Sequence, residues 1–486
     1  MSIHAHLSPE AEERLRVQQR NASISSVVIS LLVTLLLGLI LAFILLPSLS
    51  VEVSTIVTYN AIVEDVESLQ EKQINNQIQR KPSAPSSSVA KVIASSTPSP
   101  VAIPVPDDAV PAPSTDFGSG DDFGDGWGDG GDGGGGGFGN IPASMRKRCS
   151  EQDRLARLAT NGGTRKCEDS VMAALRYFKK TQHKNGSWDG GNQVGMTGLV
   201  LLAYLGHCET PLSEEFGDNV TSAIAYLVNV NIQNKGRMAS SFQTDKWPYE
   251  HAIAAYALAE SLTFCKQLGI NFPNLEKAVA DSIQWIINNQ HKSGGWDYGY
   301  AENSGRGGDL SVTAWQLQAL KAGHATRLDF HNYQKCITNG INYVEKCQNS
   351  NGGFGYYHTT KAPAGDGNIF TLTGAGTLCV QQHRNAATSS ARKGIRYLDQ
   401  EARFDFSKGA NLYEHYYNSQ AMINHGGQSW RKYNALFRDQ LLNTQNKDGS
   451  WPQPADGGHN TESVIYRTAL CTLMLEVYYR FLPGTS

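Results

Sequence analysis

Gln290-His-Lys-Ser-Gly-Gly-Trp296 recurs through the second two-thirds of the chain, as Gln182 to Trp188 (QHKNGSW), Gln348 to Phe354 (QNSNGGF) and Gln445 to Trp451 (QNKDGSW). Weaker copies follow Gln233 (QNKGRM) and Gln400 (QEARFDF). Successive Gln positions lie 51, 57, 58, 52 and 45 residues apart, so the region divides into six units of about fifty residues.

Each unit has one internal plan. An amphipathic helix with apolar residues at i, i+3, i+4 and i+7 ends at the Gln, as in SVMAALRYFKKTQ (170–182) and AVADSIQWIINNQ (278–290). A Gly-rich turn carrying an aromatic residue follows. A second, more apolar helix then starts, as in MTGLVLLAYLGH (196–207), LSVTAWQLQALKAG (310–323) and FTLTGAGTLCVQQ (370–382). One polar-faced and one mostly apolar helix per unit is what two concentric rings require. Six hairpins can close on themselves and need no capping repeats. The expected fold is therefore all-α, an α/α toroid of six helical hairpins. The turn needs no chemistry to explain it: its glycines permit a tight helix exit, and the Gln amide can bond backbone groups at a neighbouring helix end.

The Gln-x-x-x-Gly-Ser-Trp repeat at this spacing resembles the squalene–hopene cyclase and prenyltransferase repeat, over Glu168 to Pro483. The whole layout is similar to membrane-anchored bacterial proteins of that repeat family with no assigned function. The resemblance implies an α/α toroid and three activities to test. Cyclases of this type protonate an alkene with the central Asp of a DxDDTA motif. The matching helix here reads Asp309-Leu310-Ser311-Val312-Thr313-Ala314. The first Asp, the Thr and the Ala are in register, but Ser311 stands at the proton-donor position, and a serine hydroxyl cannot protonate an alkene. Zinc-dependent prenyltransferases begin their ligand set with Asp-x-Cys, whereas this chain offers Asp309-x-Ser311, and His207-Cys208 lies at the far end of its helix. The thioester relatives need Cys-Gly-Glu-Gln, which is absent. Neither a metal nor another cofactor is expected.

In such a toroid the N-terminal ends of the inner helices ring one mouth, where helix dipoles and unpaired N–H groups act. Two inner helices, in units two and five and so opposite each other, open with one tripeptide: Tyr249-Glu250-His251 and Tyr413-Glu414-His415. Asp309 opens a third inner helix and Glu462 that of unit six. Asp309, His251 and His415 are the candidate catalytic residues; Tyr249, Glu250, Tyr413, Glu414, Glu462 and Trp315 are the candidate ligand contacts. Asp309 also suits the N-cap of its own helix, and Glu250 and Glu414 sit in first turns that favour carboxylates anyway. Trp315, Tyr256, Tyr416, Tyr417 and Tyr466 suit either a cavity wall or a packed core.

Outside the repeats, residues 1–23 precede an uncharged apolar run at 24–46 (VVISLLVTLLLGLILAFILL within it), long enough to cross a bilayer. Arg14, Arg16 and Arg20 lie before it and Glu52, Glu64 and Glu67 after it. The positive-inside rule then expects a cytoplasmic N-terminus and a periplasmic or otherwise extracytoplasmic remainder. Residues 47–80 read as a juxtamembrane helical segment. Residues 81–142 read as a linker, first Pro/Ser-rich and then Gly/Asp-rich, and 143–486 form the toroid domain.

Hydrophobic residues make up 40% of the chain and charged ones 18%, ordinary for a globular core. Between Val92 and Met145 there are eight Asp and no Lys or Arg, so the net charge of −3 belongs to that tract. No basic stripe interleaved with aromatics exists, which excludes nucleic acid as an expected partner. The expected partners are the membrane and an isoprenoid or other lipid ligand or an envelope protein. Of eight cysteines, Cys336 and Cys347 lie on one helix about 16 Å apart along its axis, too far to bridge. Cys149 with Cys167 and Cys208 with Cys265 are open pairings, and buried free thiols are the other reading. The function expected is an anchored extracytoplasmic ligand- or partner-binding toroid, with an enzyme acting on an isoprenoid or other amphipathic lipid as the alternative.

Overall fold

The structure is a computed structural model that describes Leu36 and residues 148–300, 307–357, 369–454 and 463–480. The expected spanning run at 24–46 lies outside the described residues apart from Leu36, as do the segments 47–80 and 81–142. Among the described residues no helix is long and apolar enough to cross a membrane.

From Arg148 onward the chain is helical, and among the described residues β-structure is confined to isolated bridge positions, Asn271 and the pair Gln348 and Phe354. After the short α1 (Glu151–Thr160), twelve helices alternate between two layers. The outer layer holds α2 (Arg165–Thr181), α4 (Gly217–Gln233), α6 (Leu275–Asn288), α8 (Tyr333–Lys346), α10 (Ser389–Glu401) and α12 (Gly427–Thr444). The inner layer holds α3 (Gln193–Gly206), α5 (Trp247–Leu268), α7 (Leu310–Ala325), α9 (Ile369–His383), α11 (Leu412–His425) and α13 (Val464–Leu475), after which α14 (Val477–Arg480) ends the described chain. Each inner helix packs on the next, and α13 packs back on α3, so the inner layer is a closed ring.

The sequence pattern explains the layers. In α3 every residue from Val194 to Gly206 is buried, which only a helix covered on all sides tolerates. In α8 the buried set is Cys336, Ile337, Gly340, Ile341, Tyr343 and Val344, one face of a 3.6-residue period. Gly198 lets α3 and α5 touch: a Cβ there would sit 2.9 Å from Ile253 Cγ2 and 3.1 Å from the Ala254 nitrogen.

The repeated turn is a staple between neighbouring units. Gln290 Nε2 donates to the Gly294 carbonyl of its own turn and to Cys336 O of the next outer helix, both at 2.8 Å. Gln182 and Gln348 do the same toward Asn219 and Ser390. Gln445 reaches Ser170 O at 2.9 Å, so the last unit is stapled to the first. Each turn Trp buries its indole and donates Nε1–H to a carbonyl ten residues earlier, for example Trp296 to Ile286 O at 2.9 Å.

The weak copies differ from the reading above. Gln233 is exposed, and Asn231 instead donates to Gly236 O and Ala278 O at 3.2 Å. Gln400 is also exposed, and its place is taken by Gln440, which donates to Phe404 O and accepts the Phe406 N–H. The disulfide joins Cys149 to Cys208, across a Cα separation of 4.9 Å. Both open pairings are thereby corrected: Cys167 and Cys265 face the core within α2 and α5 and are free, as are the other four cysteines. This bridge ties the segment before α1 to the C-terminal end of α3. There Arg148 and Arg480 converge on Glu260 at 2.6 and 3.0 Å, and charged side chains fill that end of the ring.

Candidate functional site

One hydrogen bond fixes the register of the inner helices. The backbone N–H of the turn residue donates to a side chain in the first turns of the following inner helix. Trp188 donates to Thr197 at 3.2 Å, Trp296 to Thr313 at 3.1 Å, Phe354 to Thr373 at 3.0 Å and Trp451 to Thr468 at 3.3 Å. In unit two Met238 donates to His251 Nδ1 at 3.1 Å, so His251 stands in the threonine position. His415 stands at the equivalent sequence position in unit five, where its Nδ1 meets the Tyr433 hydroxyl instead.

Two residues before each of these six come Gly195, Tyr249, Ser311, Thr371, Tyr413 and Tyr466. All six face a single cavity of about 330 Å³ at the N-terminal mouth of the ring. Ile253 and Trp315, one turn deeper, form its apolar wall, and Asn192, Lys246, Tyr298 and Tyr356 complete its sides. Trp315 is held by a parallel stack on Tyr416, with centroids 5.5 Å apart. The cavity is thus walled by aromatic rings and lined by hydroxyls.

The tripeptide residues divide three ways. Tyr249 and Tyr413 present their rings to the cavity. Glu250 lines it but is held elsewhere, accepting the Gly195 N–H of α3 at 3.0 Å and the Ser240 hydroxyl at 2.6 Å. It caps a neighbouring helix, where a carboxylate meets the positive end of a dipole. Glu414 hydrogen-bonds Thr371 of α9 and does not line the cavity; burial pushes its carboxyl up to about 7.

Neither histidine reaches the cavity. His251 Nε2 donates to Ser282 O at 3.2 Å while Nδ1 accepts from Met238, which defines a neutral ring, and burial drives its pKa down to about 4. His415 Nδ1 lies 2.7 Å from the Tyr433 hydroxyl, and burial drives it down to about 3. Each is directed outward, toward an outer helix.

Asp309 is the N-cap of α7. Its Oδ1 accepts the Ser311 N–H at 2.8 Å, the Val312 N–H at 3.4 Å and the Ser311 hydroxyl. It stands one side chain behind the cavity wall, because Ser311 Oγ in turn meets the Tyr249 hydroxyl at 2.6 Å. Glu462 lies outside the described residues. Lys246, Asn192, Tyr298, Thr371 and Tyr356 were not singled out from the sequence. The threonine register, read two residues upstream, finds Thr371; nothing local marks the others. Among the described residues no three His, Cys, Asp or Glu side chains gather as a metal site.

No protein-family model matches the sequence, and no curated protein matches it. Among solved structures, the chain is similar to the apo type II terpene cyclase MstE from Scytonema. They share 13% identity and a TM-score of 0.44, over 64% of this chain and 98% of that one. It is similar to the α-1,6-mannanase from Salegentibacter at 11% identity and a TM-score of 0.46, over 64% and 98%. It is also similar to a protein from Actinoplanes at 12% identity and a TM-score of 0.41, over 65% and 99%.

Proposed function

We propose that this protein is a ligand-binding toroid, held outside the cytoplasm by the apolar run at 24–46, whose cavity takes the end of a small amphipathic molecule such as a prenyl chain with a polar terminus. The observation that carries this reading is the convergence of one register position from all six inner helices on a single aromatic, hydroxyl-lined cavity. At about 330 Å³ it is at the small end of ligand sites, suited to one end group rather than a long folded chain. Ile253 and Trp315 suit an apolar segment; Ser311, Thr371 and the tyrosine hydroxyls suit a polar one. Binding is favoured over acid catalysis because Asp309 and Glu250 are each engaged by several donors and Glu414 and both histidines lie off the cavity.

Native mass spectrometry of the full chain, taken mildly from its membrane fraction, tests this. A stoichiometric small-molecule adduct is expected, and it should disappear in Thr371→Trp, which pushes an indole into the cavity. A clean mass for the unaltered chain, with no uptake of added geraniol, would overturn the reading.

A further inference from the structure

The hydroxyl of Ser311 has one proton and two neighbours: the Asp309 carboxylate and the Tyr249 hydroxyl, the latter at 2.6 Å. A carboxylate can only accept, so the serine proton goes to Asp309 and the serine oxygen must accept from Tyr249. The Tyr249 proton is therefore turned away from the cavity. Its oxygen, polarised through the chain by a buried carboxylate, is left to accept. The Tyr298 hydroxyl, 3.4 Å away, is placed only to accept from Tyr249; it is a weak rival for the Tyr249 proton beside the 2.6 Å contact to Ser311 and occupies none of the Tyr249 lone pairs. From the opposite side of the ring Tyr413 also donates its proton to α7, to the Ser311 carbonyl at 3.3 Å. Its contact with α7 is the longer of the two, so Tyr249 is the better-set acceptor.

We infer that Asp309, acting through Ser311, sets Tyr249 as a hydrogen-bond acceptor facing the cavity, so that the site selects ligands whose polar end is an uncharged donor, an alcohol, over ethers. Asp309 is then a positioning residue that never touches the ligand. The inference rests on the ligand-binding reading above and names the polar end of that ligand.

The test is a fluorescence titration of the full chain in amphipol with geraniol and with geranyl methyl ether, which differ in the one donor. Geraniol is expected to bind about tenfold more tightly, the worth of one charge-assisted hydrogen bond. Ser311→Ala should bring the ratio to about one, while Ser311→Thr, which restores the hydroxyl, should keep it. Both variants leave the helix cap in place, and an unchanged melting temperature checks that. Equal affinities for the two probes in the unaltered chain, or a ratio that survives Ser311→Ala, would overturn the inference and leave the binding reading standing. Binding of neither probe would remove the binding reading, and the inference with it.

Discussion

His251 Nδ1 accepts the Met238 N–H at 3.1 Å, and four other units make the same bond with a threonine hydroxyl. The shared Tyr-Glu-His tripeptide of units two and five is therefore a register marker: in both its first residue faces the cavity and its second reaches the neighbouring helix, and in unit two its third anchors the turn.

This relationship makes a stability prediction with a definite sign. The unfolded chain protonates His251 near pH 6.5, whereas the folded chain resists protonation down to about 4. The unfolded state thus binds more protons between those values, and stability falls as pH is lowered through them, by up to about 1.4 kcal/mol per pH unit. His251→Thr should lessen the loss between pH 7 and pH 5 in urea denaturation. His251→Ala, which leaves the buried Met238 N–H without its partner, should cost about 3 kcal/mol at pH 7. A variant whose pH slope matched the unaltered chain would place the histidine's titration elsewhere.

The staple of unit two makes a second prediction. Asn231 is fully buried and joins α4 to its turn and to α6, while Gln233 points into solvent. Asn231→Ala should lower stability by about 2 kcal/mol, because two buried carbonyls lose their donor. Gln233→Ala should stay within about 0.5 kcal/mol. Paired thermal melts decide it, and the reverse ordering would mean the repeat had been aligned two residues off.

Those two sites show what the sequence made legible and what it did not. The period of about fifty, the alternation of amphipathic and apolar helices and the aromatic turns were enough to place twelve helices in two layers, because burial sets hydrophobic pattern directly. The staple in unit two was misplaced because an Asn two residues earlier reaches the same carbonyls as the Gln, and spacing alone cannot see that reach. Tyr249, Glu250, Tyr413 and Trp315 were readable as cavity residues from their place at inner-helix starts. The direction of His251 and His415 was not, since a histidine and a threonine fill one structural role without resembling each other. The Cys149–Cys208 bridge depends on chain path before α1, which no periodicity encodes.

The charged end of the ring supplies the last prediction, because two buried glutamates there differ in charge. Glu260 accepts from Arg148 at 2.6 Å and Arg480 at 3.0 Å, and although burial opposes it, these two guanidinium groups hold its carboxyl below the usual range. Glu476 lies 3.9 Å from Arg480 Nη1, beyond hydrogen-bond reach, while that same nitrogen donates to Leu202 O at 3.0 Å. Burial, with the charges of Glu260 and Glu168 nearby, pushes Glu476 well above the usual carboxyl range, so it is neutral where Glu260 is ionised. Glutamine imitates a neutral carboxyl, so Glu476→Gln should be within about 0.5 kcal/mol of the unaltered chain near pH 5. Glu260→Gln removes an anion that pairs two buried guanidinium groups and should cost about 3 kcal/mol. The pH signs are opposite as well. Folded Glu476 keeps a proton that the unfolded chain gives up above about pH 4.5, so the native state binds more protons and the unaltered chain loses stability as pH rises. Glu476→Gln abolishes that loss and should be the more stable of the two at pH 8 in urea denaturation. Equal destabilisation by both substitutions at pH 5 would mean that both carboxylates are charged and that the 3.9 Å approach is a true ion pair.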